Sequence, residues 1–171
     1  LSKPIGYLLL VLCILGVTLP ANAANPGFGL GIIVGEPTGL SLKSWLSRDS
    51  AIDAALAWSF VDHNEHNHYE VMQLHADYLL HNFSLFRVSQ GKLPLYYGIG
   101  GVGRFYQYDD DWEGDHHDEH SVRLGVRVPL GISYLFSRAP FDLFLEVVPM
   151  LALVPETDFW INAAFGGRFY F

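Results

Sequence analysis

Phe159-Trp160-Ile161-Asn162-Ala163-Ala164-Phe165-Gly166-Gly167-Arg168-Phe169-Tyr170-Phe171 is the stretch that decides the fold. Phe159, Ile161, Ala163, Phe165, Gly167, Phe169 and Phe171 take every second place. Trp160, Asn162, Ala164, Gly166, Arg168 and Tyr170 take the places between. A repeat of two is the side-chain period of a β-strand, whose successive residues point to opposite faces. One face here suits hydrocarbon, and the other carries an Arg, an Asn and small residues.

The same repeat runs back through the chain and predicts seven earlier strands. Residues 27–35 alternate Phe28, Leu30, Ile32 and Val34 with glycines and Ile33, and Glu36-Pro37-Thr38 turns the chain. Residues 39–46 return with Leu40 and Leu42 opposite Lys43 and Trp45. Residues 51–60 set Ile52, Ala54, Leu56, Trp58 and Phe60 against Asp53, Ala55, Ala57 and Ser59. Residues 69–82 set Met72, Leu74, Ala76, Tyr78 and Leu80 against Gln73, His75 and Asp77, and residues 93–106 form a fifth strand. The clearest is 122–134, where Val122, Leu124, Val126, Val128, Leu130, Ile132 and Tyr134 interleave with Arg123, Gly125, Arg127, Pro129, Gly131 and Ser133. Pro129 cannot donate to a ladder, so a bulge or a weak pairing is expected there. Residues 142–153 make the seventh strand, and the quoted stretch is the eighth.

The front of the chain reads as a secretory signal over residues 1–23. Lys3 gives a small positive region, an apolar run follows from Ile5 to Leu19, and Ala21-Asn22-Ala23 offers a cleavage site. That run is shorter than the roughly 20 residues a spanning helix needs. Leu12 before Cys13 does not fit a lipoprotein signal. Cleavage after Ala23 would remove the single Cys and leave residues 24–171 as one domain without disulfides. That domain keeps all 18 acids and loses only Lys3 of the ten Lys and Arg, and this acidic balance is not that of a nucleic-acid partner.

Half of the chain is apolar, yet no other stretch could span as a helix. That leaves a soluble β-sandwich or an all-β, eight-stranded, antiparallel, up-and-down transmembrane barrel. If both chain ends face the periplasm, the periplasmic turns carry Arg48, Arg87, Lys92 and Arg138, with Asp49 as their one acid. The external loops then carry Glu36, Asp62, Glu65, Asp109, Asp110, Asp111, Glu113, Asp115, Asp118, Glu119, Glu156 and Asp158, and no Lys or Arg. Short turns fall on one side and the two longest loops on the other. Trp58, Phe60, Phe105 and Phe159 fall near external strand ends, and Tyr97, Tyr134, Phe169 and Phe171 near periplasmic ends, as two interfacial girdles would require. These regularities favour the barrel.

On these residues the chain resembles the small eight-stranded outer-membrane barrels of the OmpA/OmpX-type architecture. Gly166, Phe169 and Phe171 match the assembly signal of that family, while its polar position is Ala164 here. The resemblance implies a bacterial outer-membrane location, a lipid environment, and biogenesis through periplasmic chaperones and the barrel-assembly machinery. It also implies a monomer serving envelope integrity, adhesion or resistance.

Two groups of residues are candidates for chemistry. Lys43, Asp53, His75, Asp77, Arg104, Arg123, Arg127, Glu146 and Arg168 all fall on the non-lipid face. Eight strands enclose a lumen that side chains fill, so these charges should pair as a plug rather than line an open pore. Strand order suggests Glu146 between Arg127 and Arg168, and Lys43 near Asp53 and Asp77. The second group is His63, His66, His68, His116, His117 and His120 in two acidic external segments. Imidazole and carboxylate suit a divalent metal, but the spacing matches no defined site, and a solvated acidic crown explains the composition as well. No resident cofactor is expected beyond such a loop-bound metal.

A lipid-modifying enzyme is the remaining alternative. His75 and Asp77 with Ser59 or Ser121 would have to come within bonding reach, and no H-x-S motif is present. The expectation is a non-enzymatic barrel with an envelope-integrity or surface-interaction role, and metal capture as the alternative.

Overall fold

The computed structural model of the chain describes residues 27–62, 68–108 and 121–171. Nine antiparallel strands occur among them: β1 (Phe28–Gly35), β2 (Thr38–Trp45), β3 (Ser50–Asp62), β4 (His68–Asn82), β5 (Leu95–Tyr108), β6 (Ser121–Arg127), β7 (Leu130–Leu135), β8 (Phe141–Val154) and β9 (Asp158–Tyr170). Each stave pairs with its neighbours in sequence. β9 then closes on β1, from Gly29↔Tyr170 to Gly35↔Ala164. A closed ring leaves no unpaired strand edge, which is the condition for β-structure in a bilayer.

The ring has eight staves, because β6 and β7 are two parts of one. Both pair with β5 on one side and with β8 on the other. The interruption is at Val128-Pro129, where a weak pairing was expected. Its cause is double. Pro129 has no N–H, although its carbonyl still accepts from Gly98 at 3.0 Å. Pro149 on β8 accepts from the Val128 N–H at 3.0 Å but can return no bond. The register is the same on both sides of this gap, so the stave runs straight through it. The one irregularity of register in this stave lies nearer the loops, between Leu124 and Gly125.

The two faces differ as the period of two requires. Ile99 is 62 % exposed and Phe165 57 %, whereas Lys43 and Arg168 are each 1 % exposed on the inside. Leu30, Ile32, Leu74, Leu124, Leu145 and Ile161 continue the outward apolar band. Trp58, Phe105 and Phe159 are exposed where the strands meet the loops, and Tyr97, Phe169 and Phe171 at the opposite end. An apolar exterior bounded by aromatics around a charged interior is the pattern of a membrane-spanning barrel and the reverse of a sandwich core.

The barrel therefore has a loop end, where residues 62–68 and 108–121 make their connections, and a turn end, where β1 begins and β9 finishes. Inside, Ile33, Leu79, Tyr96, Phe144 and Ala164 form one apolar cluster. Val102, Val148 and Met150, with Trp160 against them, form a second one nearer the loops.

Candidate functional site

Buried ion pairs lie in the lumen beside these clusters. Arg127 lies at the break in the split stave, and its Nε is 3.1 Å from Asp77 Oδ2 while its Nη2 is 3.3 Å from Glu146 Oε1. Gly100 makes the first of these contacts possible. It stands between Arg127 and Asp77 in the register and has no side chain, so Arg127 reaches over β5 to β4. A methyl on Gly100 would run into the Asp77 carboxylate.

Arg168 works in the same way. Its Nη2 is 3.0 Å from Asp53 Oδ2, and its path passes over Gly31, where an added Cβ would meet the Arg168 side chain. The Arg168 guanidinium also lies 3.9 Å from the centre of the Phe144 ring, a stacking contact that favours a cation. Tyr96 donates its hydroxyl to Glu146 at 2.9 Å, and Tyr170 donates to Asp142 at 2.7 Å. Every one of these groups is buried.

Lys43 lies beside Asp53, as strand order suggested, but bonds elsewhere. Asp53 is its register partner, but its ammonium donates to His81 Nε2 at 2.8 Å. His81 Nδ1 in turn donates to the Asp49 carbonyl at 3.3 Å, a pattern that the neutral ring satisfies. The Trp45 and Tyr96 rings lie 4.7 and 5.2 Å from the Lys43 nitrogen. Glu146 likewise takes Arg127 alone, because Arg168 spends its reach on Asp53 across β1 and β2. Register gives the nearest Cβ, whereas these long side chains bridge over glycines to partners further round the ring.

Arg104 and Arg123 stand apart, opposite each other near the loop end. Arg104 lies 5.2 Å from the Trp160 ring and 5.7 Å from the Tyr106 ring, and Arg123 lies 5.2 Å from Tyr106. Arg123 meets Asp158 at 3.6 Å with both side chains well exposed, so that pair adds little. His75 is buried with its Nδ1 3.4 Å from Gln73 Nε2. It faces a small recess that Arg127, Glu146, Asn162 and the Glu36-Pro37 turn also line.

Tyr96, His81, Asp142 and Tyr170 were not among the sequence candidates. The signal for three of them was strand parity: Asp142 shares the face of Glu146, Tyr170 that of Arg168, and Tyr96 lies on the side opposite Tyr97. Asp77 is committed to Arg127, so it does not orient His75 as an acid–base pair would need. Of the metal candidates, His63, His66, His116, His117 and His120 lie outside the described residues, and His68 opens β4. Among the described residues no group of three or more His, Cys, Asp or Glu is arranged to hold a metal ion. The signal segment 1–23 also lies outside the described residues. Gly166 faces inward against the Phe144 ring, and Phe169 and Phe171 face outward with ring centres 5.2 Å apart.

Solved structures show the same fold. The chain is similar to Neisserial surface protein A at 11 % identity and a TM-score of 0.60, covering 84 % of this chain and 93 % of that one. It is similar to the N-terminal β-barrel domain of Pseudomonas aeruginosa OprF at 15 % identity and a TM-score of 0.56, covering 84 % and 95 %. The architecture is that of the eight-stranded outer-membrane β-barrels. No curated protein matches the sequence. Residues 21–167 match a family described as "Protein of unknown function (DUF3996)", and the chain belongs to that family.

Proposed function

We propose that the protein is a closed, non-conducting outer-membrane barrel that acts, without catalysis, in envelope integrity or surface interaction through its loop end. The observation that carries this reading is the burial of the Arg168–Asp53 and Arg127–Asp77/Glu146 pairs inside the lumen. Buried ion pairs in a lumen that eight strands leave narrow favour a rigid plug over a water-filled path. The barrel then serves as a frame, and the acidic segments joining β3 to β4 and β5 to β6 face the surroundings of the cell. The name of Neisserial surface protein A agrees with such a role. We assign Gly166, Phe169 and Phe171 to recognition by the barrel-assembly machinery.

Two measurements on the full chain test this reading. Reconstituted in a planar bilayer, the protein is expected to show no stable conductance steps, and reproducible ion channels would overturn the plug. An epitope placed within residues 109–119 should bind antibody on intact cells, and access only after permeabilisation would overturn the orientation.

A further inference from the structure

Residues 83–94 join β4 to β5 at the turn end and form its longest connection. The segment is held in a defined shape. Asn82 Oδ1 accepts from the Ser84 N–H at 3.0 Å and its hydroxyl at 2.7 Å. Lys92 and Leu135 exchange two backbone bonds of 2.9 and 2.8 Å, and Tyr134 donates its hydroxyl to the Gln90 carbonyl at 3.0 Å. Gly91 makes the turn at φ 72°, a backbone region that favours glycine.

This ordered segment nevertheless turns its large apolar side chains outward. Leu85, Phe86 and Val88 are all exposed, with Arg87 between them. The segment adjoins the aromatic band of the turn end, because Tyr134 binds its Gln90 carbonyl and packs edge-on against Phe136 at 4.7 Å. The neighbouring turns contribute exposed Leu46 and Arg48 on one side and Phe136 and Arg138 on the other. The β2–β3 turn touches this region through the His81 N–H, which donates to the Asp49 carbonyl at 2.7 Å. The three connections thus present Arg48, Arg87, Lys92 and Arg138, and their one acid, Asp49, accepts from Ser47 Oγ at 2.6 Å.

We propose that these three turns form a binding collar for anionic phospholipid, with Leu85, Phe86 and Val88 in the acyl boundary and the four cations on headgroup phosphates. Apolar side chains interleaved with Lys and Arg at the edge of an apolar belt match the chemistry of a bilayer interface. A soluble partner would not need the patch to continue into the lipid-facing aromatic band. The collar stands on the barrel architecture and not on the role proposed for the loop end.

The test uses the full chain folded into nanodiscs of equal phosphatidylglycerol and phosphatidylcholine, released, and weighed by native mass spectrometry. The wild type is expected to retain phosphatidylglycerol over phosphatidylcholine. The exposed double variant R87Q/K92Q should lose that preference by about fivefold for each cation removed. L85S/F86S should lower retention of both lipids, while E156Q at the opposite rim should change neither. Raising salt on the wild type should weaken the preference in the same direction, and needs no variant to fold. Equal retention of the two lipids by the wild type would overturn the collar. An unchanged preference in R87Q/K92Q, or one insensitive to salt, would do the same.

Discussion

Asp53 and Asp77 are register partners on β3 and β4, both buried, and each is held by a different arginine reaching over the staves between them. Two adjacent carboxylates repel, so each depends on its own cation: Arg168 for Asp53 and Arg127 for Asp77. The two arginines are therefore coupled through these carboxylates, and removing one leaves a buried acid without its cation.

Replacing Arg168 alone tests that dependence. R168M leaves Asp53 buried beside Asp77 without its partner and should cost about 3–5 kcal/mol. The double variant R168M/D53N, which removes both charges, should recover a large part of the loss. Urea unfolding in lipid vesicles, followed by the heat-modifiable shift in gels, measures both. A double variant no more stable than R168M would show that the pair is not what Arg168 serves.

Gly100 should be nearly as sensitive as a charged residue. G100A puts a methyl against the Asp77 carboxylate and pushes it from Arg127, at a cost of about 1–3 kcal/mol. G101A on the lipid-facing side of the same strand has open space and should stay within about 0.5 kcal/mol. The same unfolding assay separates them.

Tyr96 and Tyr97 are consecutive and lie on opposite faces. Y96F removes the hydroxyl that Glu146 accepts from and should cost about 1–3 kcal/mol. Y97F loses no bond inside the barrel and should be close to neutral. Equal effects would mean that the lumen network contributes nothing at this level.

The outward face should show dependence on depth. F165R places a charge in the middle of β9 and should destabilise the folded barrel by about 2–4 kcal/mol. F159R, at the loop end of the same strand, should cost about 0–1 kcal/mol. Folding yields and unfolding midpoints in vesicles check the gradient, and a flat profile would contradict the membrane depth read from β9.

Much of this architecture was legible in the residues because a strand's period is a local property. Phe159 to Phe171 show their two faces without reference to any other strand, and parity alone sends Arg127, Glu146 and Arg168 inward. Pro129 announced the interruption in the sixth stave. Its counterpart Pro149 was not read, since its effect appears only when β8 lies beside Val128. The inward positions of Asp142 and Tyr170 were equally accessible by parity, but nothing local marked them as partners.

The sequence by itself thus determined the number of staves, the side of the barrel on which each residue lies, and the contrast between acidic loops and basic turns. Only the tertiary structure decided who pairs with whom. Lys43 meets His81, Arg168 meets Asp53, and Arg127 spans Gly100 to Asp77. The reason is physical: alternation depends on neighbours along one strand, whereas ion pairing depends on side-chain reach across a closed ring. That reach is set by where glycines leave gaps between staves far apart in the chain.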